Sequence, residues 1–449
     1  MIAEWKARGG EVAVVGLGKS GVAAGLLLRE RGVAIYASDT GTSEAHERWA
    51  AQLRDAGADV QLGGHDLARI GAATAVVVAP GVPPDVPPLA AARAAGVPIH
   101  AETDLGVSEL RGTRYVAVTG TNGKTTTTSL IGHAMGAAGL RGETAGNIGR
   151  PVCDVARMTD PPAWLALELS SFQLHDMPSV NPAVGVLTNL APNHLDRYAT
   201  LEEYYGDKAL LFRNAGPRSV WVTNADDAAV QDMTARVAGS QRRFSMRRRA
   251  EAWYDRDRQA LMLGDRPVLD RARLPLLGEH NVANALAALL AIDSIGGDPA
   301  RIADALATFR AIPHRVEPIR EVDGVLWIND SKSTNVTSTE VAVLALDRPF
   351  VLLLGGRHKG EPYSRLIPLL RERCRAVIAY GESGDIVEAD LGAAVRVVRA
   401  RSFDDVLAAA RREATRGDAV LLSPACSSYD MFTNYEERGD RFRAAVEAM

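Results

Sequence analysis

The sequence contains little cysteine, and its three cysteines, Cys153, Cys374 and Cys426, lie far apart along 449 residues. An odd and scattered set does not indicate a disulfide framework or a cysteine-based zinc site. Positive charge is not in excess either, since 51 basic residues stand against 55 acidic ones. We therefore expect no nucleic-acid surface.

Long hydrophobic runs are also absent, because no apolar stretch approaches the length of a membrane span. The first residues lack a basic segment followed by an apolar core, so we expect no signal peptide and no membrane association. The cytoplasm is the expected location. The length predicts roughly two to four domains, and the function must come from local sites.

Lysine is scarce, with only six among the 51 basic residues. These are Lys6, Lys19, Lys124, Lys208, Lys332 and Lys359. A guanidinium cannot replace a compact ammonium or a nucleophilic amine, so a retained lysine indicates a position where one of these is needed. Codon bias is the simpler explanation for Lys6.

One segment predicts a nucleotide triphosphate site. An apolar run over residues 115–118 leads into a glycine-bracketed turn that opens a helix, and this geometry lets backbone N–H groups hold phosphates. The turn consists of Gly120, Thr121, Asn122, Gly123, Lys124, Thr125 and Thr126. Lys124 is expected to reach the β- and γ-phosphates, and the Thr125 hydroxyl to bind Mg²⁺. Val118 stands where the usual P-loop has its first glycine, so an ordinary strand–turn–helix corner remains an alternative.

The amino-terminal segment carries a dinucleotide-binding pattern. Gly16, Gly18 and Gly21 follow an apolar run, and Asp39 ends the next one. The pattern alone does not separate NAD from another pyrophosphate. A later apolar run ends in a rigid loop over residues 80–84, and the region predicts a small doubly wound domain that ends near residue 106.

The second segment of the chain offers further candidates. Glu168 lies near the end of a strand-like run over residues 163–169 and is a candidate ligand of Mg²⁺ or a candidate water-orienting group. A carboxylate neutralised by a neighbouring arginine is the alternative. His194 follows a strand over residues 184–188, and Lys208 lies in a helical stretch. Asn281 and Asn284 share one face of a later helix, where capping is the alternative role. The arginine-rich residues 241–273 predict a solvated hairpin region without a function.

The third segment has three apolar strands, each followed by polar residues. They cover residues 325–328, 351–354 and 419–422. The loops after them begin at Asn329, Gly355 and Ser423 and hold two of the six lysines. Polar loops at the carboxyl ends of strands are typical of a ligand-binding α/β domain.

These motifs together resemble the Mur ligases. The resemblance rests on collinear segments along the whole chain: Gly120-Thr121-Asn122-Gly123-Lys124-Thr125, Glu168-Leu169-Ser170-Ser171-Phe172-Gln173-Leu174, Asn193-His194-Leu195-Asp196-Arg197, His280-Asn281-x-x-Asn284, His314-Arg315, Asp330-Ser331-Lys332-x-Thr334-Asn335 and Ser423-Pro424-Ala425-Cys426-Ser427-Ser428. It also accounts for the short phosphate loop, which is that family's own variant. The amino-terminal pattern and the carboxyl-terminal segment resemble the glutamate-adding member of the family.

The resemblance implies an α/β fold of three domains. It implies a Rossmann-like UDP-binding domain over residues 1–106, a central P-loop ATPase domain with a mostly parallel sheet over 107–312, and a Rossmann-like domain over 313–449. The implied activity is ATP-dependent addition of D-glutamate to UDP-N-acetylmuramoyl-L-alanine through an acyl phosphate, in peptidoglycan precursor synthesis. A monomer is expected, and substrates are expected to draw the domains together.

The resemblance also implies residue roles. Catalysis is assigned to Lys124, Glu168, His194, Lys208 and Lys332, and two Mg²⁺ ions to Thr125, Glu168, His194 and a carbamylated Lys208. ATP contacts are assigned to residues 120–126, Asn281, Arg315 and Asp330. Contacts with the UDP-linked substrate are assigned to Lys19, Ser20, Asp39, Thr40, Gly81 and Asn147, and contacts with D-glutamate to Thr334, Lys359, Ser428 and Tyr435.

Two departures and several alternatives stay open at this level. Tyr435 stands where the family predicts phenylalanine, and His358 precedes Lys359 in the loop assigned to D-glutamate. A sister ligase adding L-glutamate or another amino acid, or a folylpolyglutamate synthetase, would share the catalytic core. A non-catalytic nucleotide-binding paralogue would be expected to lose Lys208, His194 or Glu168, and an NAD-dependent dehydrogenase would leave the phosphate loop unexplained.

Overall fold

The structure, a computed structural model, describes residues 1–193 and 197–449. The chain forms two compact units. Unit 1 comprises residues 1–273 and 283–307, and unit 2 comprises residues 274–282 and 308–449. Three sheets confirm the predicted α/β class, and two of them lie in unit 1. None of the helices in the described ranges is long and apolar enough to cross a bilayer.

The first sheet has five parallel strands in the order β3-β2-β1-β4-β5. Its strands β1 and β4 are apolar and buried, as expected for a parallel sheet covered on both faces. The elements are α1 (Ile2–Arg8), β1 (Glu11–Val15), α2 (Lys19–Glu30), β2 (Ala34–Asp39), α3 (Glu44–Asp55), β3 (Asp59–Leu62), α4 (Leu67–Gly71), β4 (Ala75–Val78), α5 (Pro87–Ala94), β5 (Ile99–Ala101) and α6 (Glu102–Glu109).

The second sheet has nine strands in the order β14-β13-β12-β11-β10-β9-β6-β8-β7. It is parallel from β7 to β12 and ends in the antiparallel strands of the arginine-rich region. The elements are β6 (Arg114–Thr119), α7 (Lys124–Ala137), β7 (Gly142–Gly146), α8 (Val152–Ala156), β8 (Trp164–Glu168), α9 (Ser171–His175), β9 (Val184–Leu187), α10 (Leu201–Ala209), β10 (Val220–Asn224), α11 (Ala228–Thr234), β11 (Ser240–Ser245), β12 (Ala252–Asp255), β13 (Ala260–Leu263), β14 (Arg266–Asp270), α12 (Glu279–Asp293) and α13 (Pro299–Thr308).

The third sheet lies in unit 2 and has six strands in the order β15-β16-β20-β17-β18-β19. All neighbours are parallel except β15 and β16. The elements are β15 (Glu317–Val322), β16 (Val325–Asn329), α14 (Val336–Leu344), β17 (Phe350–Gly355), α15 (Ile367–Leu370), β18 (Cys374–Tyr380), α16 (Gly384–Leu391), β19 (Val397–Arg399), α17 (Phe403–Glu413), β20 (Ala419–Leu422) and α18 (Tyr435–Glu447).

A continuous apolar core joins the first two sheets within unit 1. Helix α6 packs on α8 at this junction, where the buried Glu102 carboxylate accepts the Cys153 backbone N–H at 2.7 Å. Burial raises the pKa of Glu102 to about 7. The side chains of Gln173 and Thr103 add a buried hydrogen bond of 2.9 Å. The first two predicted domains thus lie in one compact unit, except for residues 274–282 and 308–312, which belong to unit 2. The exact domain boundaries stay a prediction.

Candidate functional site

The glycine-bracketed turn joins β6 to α7, and its two glycines have backbone conformations that residues with a side chain rarely adopt. Gly120 has φ +145° and Gly123 has φ +79°. A Cβ on Gly120 would lie 2.0 Å from Thr188 Oγ1, and one on Gly123 would lie 2.3 Å from Asn284 Oδ1. Glycine is therefore required at both positions. The 14-residue helix α7 begins directly after the turn. A glycine-rich turn followed by a helix N-terminus is an arrangement that binds phosphate.

Two lysines converge on one carbonyl oxygen of this turn. Lys124 Nζ donates to Gly120 O at 3.0 Å, and Lys208 Nζ donates to the same oxygen at 2.8 Å. Lys208 is only 1% exposed. Burial, and then repulsion from Lys124, holds the pKa of Lys208 well below its usual value. The neutral amine of Lys208 is therefore favoured far more than in a surface lysine.

Tyr204 also belongs to this cluster, although the sequence patterns did not single it out. It precedes Lys208 by four residues on α10, so the two side chains share a helix face. The Lys208 ammonium nitrogen lies 4.6 Å from the centroid of the Tyr204 ring. The Tyr204 hydroxyl donates to Thr121 Oγ1 at 3.3 Å. Its spacing from Lys208 is the signal that could have identified it.

Glu168 lies at the end of β8, next to the phosphate loop's strand β6. Its side chain is buried, and Oε1 accepts from Asn147 Nδ2 at 2.7 Å. Among the described residues Oε2 has no hydrogen-bond partner. A buried carboxylate oxygen without a donor is costly unless a cation or another donor compensates it. This oxygen therefore fits a hard cation such as Mg²⁺.

The structure describes some of the predicted metal ligands but not all of them. Thr125 is half-buried in the first turn of α7, and His194 lies outside the described residues. Within the ranges that the structure describes, no group of three or more histidine, cysteine, aspartate or glutamate side chains could hold a metal. The predicted set is of a different kind, because it includes a threonine, a modified lysine and His194, which lies outside the described residues.

A second predicted site is a cavity of about 570 Å³ at the carboxyl end of the first sheet. It opens where the strand order reverses between β1 and β4, the place where α/β sheets bind ligands. All six residues assigned to the UDP-linked substrate line it: Lys19, Ser20, Asp39, Thr40, Gly81 and Asn147. Asn147 thus belongs both to this cavity and to the Glu168 hydrogen bond.

The glycines of the amino-terminal pattern shape this cavity. A Cβ on Gly21 would lie 1.8 Å from Gly16 O, so the helix could not approach the turn with any other residue there. Asp39 accepts the backbone N–H groups of Leu17 at 2.6 Å and of Gly41 at 2.7 Å. The carboxylate therefore holds two loops at the cavity rim in addition to lining it.

In unit 2, the three polar loops follow β16, β20 and β17, which are neighbours in the sheet. Because these strands are parallel, their loops meet at one edge. The Asp330 carboxylate is buried there and accepts from Ser333 Oγ, Ser423 Oγ and the Val316 N–H at 2.5, 2.7 and 3.1 Å. Burial raises its pKa to about 6. Asp330 is thus tied into the loop structure by both of its oxygens.

Lys332 and Tyr435 are in direct contact. The Lys332 ammonium nitrogen lies 3.9 Å from the centroid of the Tyr435 ring, a cation–π arrangement. Burial, and then repulsion from Arg315, lowers the pKa of Lys332. The contact uses the ring face, which phenylalanine also presents. The departure at position 435 therefore preserves this interaction.

Arg315 lies in a strained segment. His314 and Val316 on either side have φ of +63° and +41°. Positive φ is uncommon for residues other than glycine, and it is most costly for a β-branched residue such as Val316. The strain is held by two hydrogen bonds, from the His314 N–H to Glu317 Oε2 at 3.0 Å and from the Val316 N–H to Asp330 Oδ1. The neighbouring loops thus fix the backbone from which Arg315 projects.

The remaining predicted residues of unit 2 lie on these loops or on α12. Ser428 is buried, Thr334 is half-buried and Lys359 is exposed. Asn281 Nδ2 donates to Leu277 O at 2.7 Å. This local hydrogen bond is present in addition to any other role of Asn281. His358, the second departure, directs Nε2 to Glu361 O at 2.9 Å, so it takes part in shaping its own loop.

Comparisons with known proteins match all three parts of the chain. Residues 10–101 match the Mur ligase MurD-like N-terminal domain, residues 118–292 the Mur ligase middle domain, and residues 314–426 the Mur ligase glutamate ligase domain. The solved structure of the UDP-N-acetylmuramate-alanine ligase MurC from Thermotoga maritima has a TM-score of 0.63 at 19% identity. It covers 98% of this chain and 99% of its own, and it shows a common fold.

Curated relatives extend the similarity over the full length. The UDP-N-acetylmuramoylalanine–D-glutamate ligase of Acidobacterium capsulatum is 39% identical, over 98% of this chain and 97% of its own. The protein of the same name from Salinibacter ruber is 40% identical, over 97% of each chain. Similarity at this level over nearly the whole of both sequences shows that the chain belongs to the Mur ligase family.

Proposed function

We propose that the chain is an ATP-dependent ligase that joins D-glutamate to UDP-N-acetylmuramoyl-L-alanine, a step in peptidoglycan precursor synthesis. The choice of D-glutamate is supported by relatives that carry this name and match 97% or more of the chain. Membership of the Mur ligases makes the dehydrogenase alternative wrong. The observation that carries the chemistry is the phosphate loop, where two lysines donate to Gly120 O. Beside it lies Glu168 Oε2, which has no hydrogen-bond partner among the described residues.

The reaction has to activate a carboxylate, which is a poor electrophile. The carboxylate of the L-alanine moiety attacks the γ-phosphorus of ATP, which gives an acyl phosphate and ADP. The amine of D-glutamate then attacks the acyl carbon, the C–O bond to phosphate breaks, and the amide, inorganic phosphate and a proton are released. The phosphoryl group carries negative charge during the transfer. The protein therefore has to supply cations and to position the reactants, rather than to supply a nucleophile.

Residues of unit 1 supply these cations and this placement. Lys124 holds phosphate oxygens, and the backbone N–H groups of the turn hold the rest. Thr125 and Glu168 are the proposed protein ligands of one Mg²⁺, with His194 on a second. When bound there, Mg²⁺ neutralises charge on the phosphate oxygens. The bond from Asn147 to Glu168 Oε1 orients that carboxylate so that Oε2 stays available.

Lys208 is proposed to act as a carbamate. A neutral amine adds to CO₂ and loses a proton, which gives an N-carboxylate with two metal-binding oxygens. Burial and the neighbouring Lys124 both favour the neutral amine that this step requires. The product also replaces a potential cation beside Lys124 by an anion, so repulsion becomes attraction. Arginine could not undergo this reaction.

The cavity of the first sheet is the proposed site of the UDP-linked substrate. Lys19 lies at the first position of α2, where an ammonium and a helix N-terminus together suit a diphosphate. Ser20 and Thr40 offer hydroxyl groups, and Asp39 and Gly81 lie at the rim. Asn147 is the proposed contact for the muramoyl part, since it is the lining residue that also reaches Glu168.

Residues of unit 2 are the proposed contacts for the amino acid and for part of the nucleotide. Thr334, Lys359, Ser428 and Tyr435 are assigned to D-glutamate, and Asn281, Arg315, Asp330 and Lys332 to ATP. The exposed ammonium of Lys359 and the hydroxyl of Thr334 are suited to carboxylates. Lys332 offers a compact ammonium, which suits a group that approaches the γ-phosphate.

Three further properties stay predictions. A cytoplasmic location is favoured by the use of ATP and a UDP-linked precursor, and cell fractionation tests it. Three proposed domains with boundaries near 106 and 312 are tested by limited proteolysis. A monomer is expected, and light scattering measures it.

Phosphate release measured with ATP, Mg²⁺ and UDP-N-acetylmuramoyl-L-alanine tests the function. D-glutamate, L-glutamate, L-lysine and meso-diaminopimelate are supplied in separate reactions. Turnover with D-glutamate alone is expected. Turnover with L-glutamate alone would establish the sister ligase instead, and silence with all four in a protein that binds ATP would establish the non-catalytic paralogue.

A further inference from the structure

A second cavity of unit 1, of about 540 Å³, lies at the amino ends of three neighbouring strands of the second sheet. It is lined by residues 113–115 at the start of β6, residues 181–183 before β9, and residues 214 and 216–219 before β10. The phosphate loop follows the carboxyl end of β6, so this cavity lies at the opposite edge of the same sheet. The reaction proposed above uses none of the residues that line it.

Hydrogen bonds between the lining segments fix the walls of this cavity. Asn214 Nδ2 donates to Pro178 O and to Val180 O, both at 2.9 Å, which joins the segment before β10 to the segment before β9. The Asn181 N–H donates to the Tyr115 hydroxyl oxygen at 2.6 Å, which joins the segment before β9 to β6. The cavity is therefore formed in the protein alone, as sites for small molecules usually are.

The charged side chains that line the cavity are two arginines, and none of the described lining residues is acidic. Arg114 Cζ lies 4.4 Å from the centroid of the Trp164 ring. The ring supports one face of the guanidinium and leaves the N–H groups at its edge available. Arg218 is exposed in the turn before β10. Over residues 1–193 and 197–449, neither guanidinium forms an ion pair or a hydrogen bond, so their positive charge attracts anions.

Tyr115 adds a hydrogen-bond donor that is not charged. Its side chain is only 7% exposed, and its hydroxyl oxygen accepts the Asn181 N–H. Burial raises the pKa of this phenol, so the hydroxyl keeps its proton at neutral pH. In the part of the chain that the structure describes, no group accepts that proton, although buried hydroxyl groups usually have an acceptor. The hydroxyl can therefore donate to a ligand in the cavity.

We propose that this cavity binds a small organic molecule that carries a phosphate monoester group. Such a group carries up to two negative charges near neutral pH, which the two guanidiniums balance. The forked donors of arginine match phosphate oxygens, and the Tyr115 hydroxyl supplies a further donor. The cavity leaves room beside the phosphate group, and Pro182, Ala183 and Pro217 offer apolar surface to the organic part of the ligand.

Calorimetric titration of the full chain with inorganic phosphate tests this site. Inorganic phosphate is the probe because it has the group that all ligands of this class share. Saturating Mg²⁺ and a non-hydrolysable ATP analogue occupy the proposed ATP site, so that phosphate binds elsewhere. We expect the wild type to bind a single phosphate. In Arg218→Gln the dissociation constant of phosphate should rise roughly 10- to 100-fold, as expected for the loss of hydrogen bonds to a charged group.

Arg213→Gln is the matched control for this titration. Arg213 is also exposed and lies five residues before Arg218, but it does not line the cavity. Its replacement should leave the dissociation constant of phosphate unchanged. Tyr115→Phe should raise that constant roughly tenfold. Arg218→Gln removes no hydrogen bond or ion pair among the described residues, so it should fold even if Tyr115→Phe does not.

Titration with succinate separates a phosphate site from a site for any dianion. Phosphate should bind at least about tenfold more tightly, because its oxygens lie on one atom and can engage both guanidiniums together. Equal affinities for the two anions, no binding of phosphate, or equal binding by the wild type and Arg218→Gln would overturn the proposal. These titrations measure binding and not turnover, so a chain that is inactive with all four amino acids would contradict the proposed function and not this site.

Discussion

Replacing Lys208 by methionine separates the chemistry of its amine from its packing. The side chain is buried in α10 and donates to Gly120 O at 2.8 Å. Methionine keeps an unbranched chain of similar length and removes the amine. Gly120 O still accepts from Lys124 at 3.0 Å, so the change leaves no buried oxygen without a donor.

The expected effects on stability and on activity differ in direction. Within the described ranges no carboxylate forms an ion pair with the buried Lys208 amine, and burying such an amine is costly. The free energy of unfolding should therefore stay equal or rise by up to about 2 kcal/mol. Loss of the proposed carbamate should lower kcat roughly 100- to 1,000-fold, as removal of a preorganised electrostatic group does.

The pH dependence of stability gives a second check, in buffer free of CO₂. The pKa of Lys208 in the folded protein is far below its value in the unfolded chain, which therefore binds this proton more tightly. The wild type should gain stability relative to Lys208→Met as pH rises through the range below 10.5, by at most about 1.4 kcal/mol per pH unit.

Urea unfolding and phosphate release measure these effects, with Lys6→Met as a control. Lys6 is exposed in α1, so its replacement should change neither quantity. Activity of Lys208→Ala should be partly restored by bicarbonate or a short carboxylic acid, which can occupy the space of the carbamate. Full activity in Lys208→Met, or a large loss of its stability, would refute the reasoning.

Three further predictions concern single residues. Glu168→Gln keeps an acceptor for Asn147 but loses the charge. Its kcat should fall roughly 100-fold, and its dependence on Mg²⁺ should change. The control Glu143→Gln, on the neighbouring β7, should leave both unchanged. Gly123→Ala should cost about 1–3 kcal/mol and weaken nucleotide binding, measured by unfolding and calorimetry, because of its φ and the 2.3 Å approach to Asn284. The folded protein binds the Asp330 proton more tightly than the unfolded chain does. The contribution of Asp330 to the free energy of unfolding should therefore fall as pH rises from about 4 to about 6. Urea unfolding of Asp330→Asn should no longer show that fall. A wild-type Mg²⁺ dependence in Glu168→Gln, an unchanged stability in Gly123→Ala or a persisting fall in Asp330→Asn would contradict the respective prediction.

The strands and the loops after them could be predicted from the sequence because each strand is a short apolar run bounded by turn residues. The predicted run over residues 419–422 has the observed limits of β20, and the predicted run over residues 325–328 is one residue shorter than β16. The placement of polar loops at the carboxyl ends follows from parallel pairing. Five of the six residues around the first cavity meet for the same reason, whereas Asn147 follows β7 of the second sheet.

Contacts between distant residues could not be predicted from local patterns. Lys208 and Gly120 are 88 positions apart, and only the packing of α10 under the phosphate loop brings them together. The merging of the first two sheets into one unit likewise depends on the α6–α8 packing.

The most direct test of the account follows an oxygen atom. UDP-N-acetylmuramoyl-L-alanine labelled with ¹⁸O in its carboxylate is incubated with ATP, Mg²⁺ and D-glutamate, and the released phosphate is analysed by mass spectrometry. Activation through an acyl phosphate predicts one ¹⁸O atom in each phosphate released. Product formed with unlabelled phosphate would contradict the account.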